Sequence, residues 1–472
     1  MTGVENYQEL LKSYEPEMIR TLQELVKIRS VVEESNNPEA PFGEGVENAF
    51  SYMMEKSREL GFDTFAAGHY GGHAEFGQGE KCLGILVHLD TVPEGEGWNK
   101  EPFGGEIEDG KLYGRGTSDD KGPAVAAIYA MKALKESGVP LKKRVRLIFG
   151  LDEEVGEWEG IDQYLKEAGS PDFGFTPDAD FPLVHAEMGI LVFDLVKKFK
   201  KTQSKGLILK RLEGGTAYNM VPNRCTAIIT ADHYDEIKER IKGFSEETGY
   251  DIGWKARGRS LEIETKGISA HGAKPQSGVN AISVMLYFLK DFQFSNEDIN
   301  DFIQFYQEKI GFNLHGKWIG CGLQDEISGE LIWNTGLIRG DEESVNITIN
   351  VRYPVTLGQD DIYQGMMPHL EEYGFGVVKT AHKESIYLPK DHPVVTTLMD
   401  VYKEHTGDSG AEPLVIGGGS YARAIKNAVA YGIKFPHQIA TEHQKDEHIE
   451  LDWWMKATAI YADAIYRLCE EE

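Results

Sequence analysis

Apolar positions recur at helical spacing through Leu10, Leu11, Ile19, Leu22, Leu25 and Val26. The same spacing returns from Phe50 to Leu60, so the pattern predicts helices over 7–28 and 50–60. Between them NNPEAPFGEG is a Pro/Gly-rich loop. The next strong signal is a continuous apolar run from Leu83 that ends at His88 and Asp90. A run of this length between polar turns predicts a buried strand. GRGTSDDKGP then leads into the Ala-rich stretch AVAAIYAMKALKESG, a helix with Pro123 in its first turn. RVRLIFG (144–150) predicts a second strand ending in Leu-Asp-Glu-Glu, and EGIDQYLKEAG predicts another helix. Residues 80–170 thus alternate strand and helix, which predicts an α/β sheet, parallel or mixed.

From Gly189 the pattern changes to strand-like segments: ILVFDLVKKF, CTAIITAD, SLEIETKGIS, ESVNITINVRYP and FGVVKTA. Helices are expected among them near 233–243, 281–294 and 361–373. This predicts an α+β insert of roughly 190 residues, and helical spacing returns after His382. The expected organisation is a discontinuous domain, 1–188 with 383–472, carrying an inserted domain at 189–382. A chain of 472 residues suits two or three cores.

Composition narrows the function classes. A formal charge of −28 argues against nucleic acid and anionic membrane as partners. No apolar run approaches the roughly 20 residues that span a bilayer, and the acidic, amphipathic start lacks the form of a signal peptide. Cys82, Cys225, Cys321 and Cys469 are widely spaced, so no disulfide or Cys metal site is expected and a reducing cytoplasm is the simplest setting.

In α/β sheets, sites lie beyond the carboxyl ends of strands. His88 and Asp90 end one strand, Glu153 and Glu154 follow another, and Asp119 and Asp120 precede a helix. In H-x-D a carboxylate can orient the imidazole and raise its basicity as a ligand. Taken singly, an Asp-Asp pair reads as a solvated turn, a Glu-Glu pair as helix-surface charge, and the loop around His443 as ordinary polar chain. Together His88, Asp119, Glu154, Asp178 and His443 form a set of imidazole and carboxylate donors suited to two divalent ions sharing a carboxylate.

Seven segments, VHLDTVPEGEGW, GRGTSDDKGP, LDEEVG, TPDADFP, SAHGAKP, GLQDEISGELIWNTG and HQKDEHIELD, resemble the di-zinc aminoacylase, carboxypeptidase and dipeptidase family of metallopeptidases, most closely its bacterial dipeptidases. They run over residues 87–452. The resemblance implies a zinc-exopeptidase-like catalytic domain, a central mixed sheet flanked by helices, with the α+β insert as a lid. It implies His88 and Asp178 as ligands of one metal, Glu154 and His443 of the other, and Asp119 as the bridge, preceding a cis non-proline peptide. Asp90 orients His88, and Glu153 is the general base. In the lid, His271 donates to the oxyanion, while Asn219 and Arg352 hold substrate, Arg352 through a free carboxylate. The run Gly417-Gly418-Gly419 with Ser420 resembles a backbone segment lining the same pocket, and also reads as a plain turn.

The implied activity is hydrolysis of unblocked dipeptides by a metal-bound hydroxide, in a monomer whose enlarged lid supplies His271 in one chain. The ions are expected to be zinc, with manganese or cobalt as alternatives. An N-acyl-amino-acid deacylase would share every catalytic residue. A non-catalytic binding protein would be expected to have lost Glu153 or a ligand. Either Asp90 or a lid group could hold the substrate amine. Tyr218 beside Asn219 leaves side-chain preference open. His185, His315, His437 and His448 are expected to be structural or surface residues, with His448 notable for its closeness to His443.

Overall fold

The computed structural model describes residues 3–156, 158–200 and 205–470. Contacts divide the chain into two compact units, one formed by 1–185, 388–414 and 419–472, the other by 186–387 and 415–418.

The first unit is built on a mixed sheet. Six of its strands lie in the order Asp63–Ala66, Gly72–Phe76, Arg144–Gly150, Cys82–His88, Phe173–Thr176, Ala428–Ala430. Cys82–His88 pairs in parallel with both neighbours, His88 lying opposite Gly150. Every residue of this strand is buried, which explains its unbroken apolar sequence: both faces are covered. Truncating Ile85 or Leu86 to Ala would cost about 2–5 kcal/mol. The three central strands run parallel, so their carboxyl ends share one edge, and the chain leaves that edge at His88, Gly150 and Thr176.

The helices Gly3–Val26, Lys121–Ser137 and Leu451–Glu470 belong to this unit. The small residues of Lys121–Ser137 allow close packing, with Ala124, Ala126, Ala127, Ala130 and Ala133 fully buried. The helix ends at Gly138, whose left-handed backbone (φ 70°) accommodates the stop. The buried Lys121 ammonium donates to Leu25 O (3.1 Å) and Ile28 O (2.7 Å), binding the end of the first helix to the start of this one. The stretch after Phe103 holds more than turns. Glu106–Glu108 and Lys111–Tyr113 form a hairpin, and His448–Glu450 adds a third strand.

The second unit is an antiparallel sheet of eight described strands. Their order is Asp251–Arg257, Ser260–Lys266, Arg224–Thr230, Ile208–Gly214, Ile332–Gly340, Ser344–Tyr353, Gly189–Lys198, Gly376–Lys383. Ser344–Tyr353 alternates: Val345, Ile347, Ile349, Val351 and Tyr353 enter one apolar core with Ile282, Met285, Phe302 and Met366 from helices. The helix expected over 281–294 ends at Leu289. Its start is fixed by Asn280, whose side chain accepts from the N–H groups of Ile282 and Ser283. The apolar spacing that continued into Phe292 and Phe294 belongs to the loop leading to Asn296, which caps a further helix, Glu297–Phe305.

Candidate metal centre and active site

The edge where the parallel strands end gathers the acidic and imidazole residues. His88 is the last residue of its strand and is 1% exposed. Its Nδ1 lies 3.0 Å from the backbone carbonyl of Asp90 and 3.4 Å from that residue's carboxylate. The ring is therefore oriented chiefly by the backbone, and Nε2 faces outward. There it meets Asp119 Oδ1 at 3.0 Å and Asp178 Oδ2 at 3.8 Å. The other oxygen of Asp119 lies 2.9 Å from His443 Nε2, which is also 3.1 Å from Glu154 Oε1. Asp119 thus offers one oxygen to each imidazole. Ligand atoms of His88, Asp119 and Glu154 all lie within 4.8 Å of one another.

Asp90 is fully buried, and its carboxylate accepts from the backbone N–H groups of Glu153 (3.2 Å) and Glu154 (3.0 Å). It ties the loop after Arg144–Gly150 to the loop after Cys82–His88. The Asp119–Asp120 peptide is cis. Asp120 is buried, with Oδ2 accepting from the His88 N–H at 3.0 Å. His443 has a left-handed backbone (φ 60°) in the loop before His448–Glu450.

Charge is unbalanced here. Burial pushes the Glu153 carboxyl well above its ordinary range, and the neighbouring Asp178, Glu154 and Asp90 add to the effect against His88. Burial likewise raises Asp178 to about 7, with Asp119 contributing. Hydrogen bonds to Asp119 and Glu154 lift His443 to about 11. Burial would lower His88, but its contacts with Asp119 and Asp90 prevail and hold it well above 6.5. The crowded carboxylates favour positive charge at this edge. A donor set of two imidazoles and three carboxylates with this demand fits divalent cations of zinc type.

Glu447 was not singled out by the sequence. It is fully buried and holds the backbone that carries the proposed bridge. Its Oε1 accepts from the N–H groups of Ser118 (3.0 Å) and Asp119 (3.2 Å), and its Oε2 from Gly116 N (3.0 Å) and Arg115 Nη1 (2.6 Å). The small sheet of 106–108, 111–113 and 448–450 brings it there. Tyr421 was also missed: its hydroxyl donates to Asp152 Oδ1 at 3.0 Å, and its ring stands edge-on to His88 at 6.2 Å. In sequence Glu447 is one more charge in a polar loop and Tyr421 an isolated aromatic.

The remaining expected residues are distributed between the units. Ser420, in the first, is buried and its hydroxyl accepts from Ala422 N. Asn219, His271, Arg352 and Gly418 belong to the second. There Met220 and His271 form an isolated antiparallel bridge, and Gly272 N donates to Asn219 O at 2.6 Å, so Asn219 and His271 share one corner. Arg352 is buried, with Nε donating to Asn350 Oδ1 at 3.2 Å. His448 Nδ1 lies 3.0 Å from Asp446 O and its ring tilts over Tyr113. His185 and His315 each have Nδ1 against a backbone carbonyl, and His437 packs on Trp453. The four cysteines are free and buried, and no described helix is long and apolar enough to cross a membrane.

Comparison with known proteins bears on the chemistry. Residues 84–467 match the model of peptidase family M20/M25/M40. The chain is 37% identical over 457 residues to YtjP of Bacillus subtilis (strain 168), covering 96% of this chain and 97% of that one. It is 34% identical over 471 residues to the Beta-Ala-Xaa dipeptidase of Lactobacillus delbrueckii subsp. lactis, covering 99% of each. Among solved structures, human carnosine dipeptidase 1 matches in fold with a TM-score of 0.57 at 15% identity, covering both chains completely. The cluster of candidate ligand residues and a match across most of the chain agree: this protein belongs to peptidase family M20/M25/M40 and is a hydrolase of peptide bonds.

Proposed function

We propose that this chain is a metal-dependent dipeptidase acting on unblocked dipeptides. The observation that carries the reading is the Asp119 carboxylate, with one oxygen at each of two imidazoles and a half-buried, proton-affine Glu153 alongside. The Beta-Ala-Xaa dipeptidase relative, matched over 99% of both chains, supports the substrate class.

His88, Asp119 and Asp178 would hold one ion, and His443, Asp119 and Glu154 a second, zinc before manganese or cobalt. Bound there, such ions supply Lewis acidity and lower the pKa of water. Asp90 keeps the Glu153 loop in place. Glu153 takes the proton from the attacking water and passes it to the leaving amine. His271 donates to the developing oxyanion, Arg352 pairs with the substrate's terminal carboxylate, and Asn219, Gly418 and Ser420 line the substrate. The unit at 186–387 serves as a lid that restricts substrates to two residues. The enzyme acts as a monomer, and four unpaired thiols suit the cytoplasm.

The test uses chelated protein with and without added zinc or manganese, given β-Ala-His, Leu-Gly, a tripeptide and N-acetyl-Leu. Metal-dependent cleavage of the dipeptides alone is expected. Glu153→Gln should lose about 10²–10⁴-fold in kcat while keeping its metal. Cleavage of N-acetyl-Leu alone would make the protein a deacylase, and silence on all four substrates would refute the reading.

A further inference from the structure

Inside the second unit, two buried asparagines face each other in register across neighbouring strands: Asn334 opposite Asn350. They are 2% and 0% exposed. The strand pattern does not require them. On the same face of Ser344–Tyr353, Asn346 and Thr348 are half-buried and bond to Asp194. Asn350 and Arg352 lie on that polar face but are enclosed.

Each amide is only half used. Asn334 Nδ2 donates to Tyr218 O (3.1 Å) and Met220 O (3.0 Å), the carbonyls on either side of Asn219. Asn350 Oδ1 accepts from Arg352 Nε. The other halves, Asn334 Oδ1 and Asn350 Nδ2, have no hydrogen-bond partner among the described residues. Native interiors seldom keep such atoms where an apolar side chain would pack as well. The backbone is also closely fitted: a Cβ on Gly336 would meet Tyr218 O at 2.2 Å, and one on Gly272 would meet Asn219 O at 2.8 Å and Asn334 Nδ2 at 3.2 Å. Asn334 therefore grips the corner that carries Asn219 and His271, and Asn350 grips the guanidinium of Arg352, from paired positions in one sheet.

We infer that Asn334 and Asn350 are positioning residues that set Asn219, His271 and Arg352 in one register for substrate. This rests on the reading that those three residues contact substrate. Leucine approximates the shape of asparagine, so the loss of these hydrogen bonds is read in kcat and KM beside zinc content and Tm.

The experiment measures kcat, KM, zinc content and Tm of the zinc-loaded enzyme on Leu-Gly for Asn350→Leu, Asn334→Leu, Arg352→Ala, His271→Ala, and the pairs Asn350→Leu/Arg352→Ala and Asn334→Leu/His271→Ala. Asn350→Leu should raise KM about tenfold, with zinc content held, since a hydrogen bond to a charged group is lost. It should add nothing in the Arg352→Ala background. Asn334→Leu should lower kcat about tenfold and add nothing to His271→Ala. Asn350→Ala carries the same comparison if the leucine variant fails to fold. Wild-type KM in the Asn350 variants beside a raised KM in Arg352→Ala overturns the inference alone. Wild-type KM in Arg352→Ala removes the reading beneath it and the inference together. Fully additive penalties in both pairs would mean independent structural damage and overturn it.

Discussion

At the residue scale, the site depends on carboxylates that hold backbone as much as on those that face the centre. Asp90 accepts two N–H groups from the Glu153–Glu154 loop, and Glu447 accepts three from the loop that ends in Asp119. Burial, aided by Asp119 and opposed by Arg115, pushes Glu447 up to about 7. Glu447→Gln leaves Arg115 without its charge partner and puts an amide N–H against backbone donors. Metal affinity should fall about 10–100-fold, as for other groups that orient ligands. Titration of the chelated variant with zinc checks this, and an unchanged affinity would restrict Glu447 to folding. His88, Asp119, Glu154 and His443 were legible as chemistry-bearing types at strand ends and in motif strings. Glu447 was not, because its partners lie about 330 positions away and are main-chain atoms, which carry no sequence signal.

At the element scale, strands buried on both faces were the easiest to read, and Arg144–Gly150 appears in the structure with the expected bounds. Asp251–Arg257, with Ile252 alone buried, showed no alternation to find, since it is an edge strand facing solvent. Ile208–Gly214 carries Lys210, Arg211 and Glu213 among its apolar residues and was missed for a related reason. Strand Gly72–Phe76 meets helix Glu159–Ala168 through His73, whose Nδ1 lies 2.7 Å from the Tyr164 hydroxyl. Burial, with Arg146 nearby, lowers this histidine to about 4. The folded state thus holds it neutral, while the unfolded chain protonates it near 6.5. Its contribution is complete above pH 6.5 and is lost as pH falls from there through 4. Between pH 7 and pH 5 the loss should be about 2 kcal/mol. Urea unfolding of wild type and His73→Gln at both pH values measures it. An equal loss in the variant would assign the acid sensitivity elsewhere.

At the scale of the whole molecule, the two units have separate cores, and all five proposed ligands fall in the first. Ions bound only to the folded state stabilise it by mass action, about 4 kcal/mol at a thousandfold excess over Kd. Chelation should therefore lower the calorimetric transition of the first unit and leave that of the inserted unit in place, with added zinc restoring it. An unaltered thermogram would separate the metal from the stability of this unit.

The alternation of strands and helices, the change of pattern near Gly189 and the chemistry of the strand ends followed from the sequence, because periodicity and residue type are local properties. So did the family resemblance, which rests on motif order. Tertiary structure decided which acids meet imidazoles and which hold backbone. It placed Asp119 between two imidazoles, bonded Glu447 to the loop that ends in Asp119, and paired Asn334 with Asn350 across neighbouring strands. Those relations depend on distance between residues remote in the chain, and burial then sets whether a carboxyl or amide there is a solvated surface group or a committed part of the machinery.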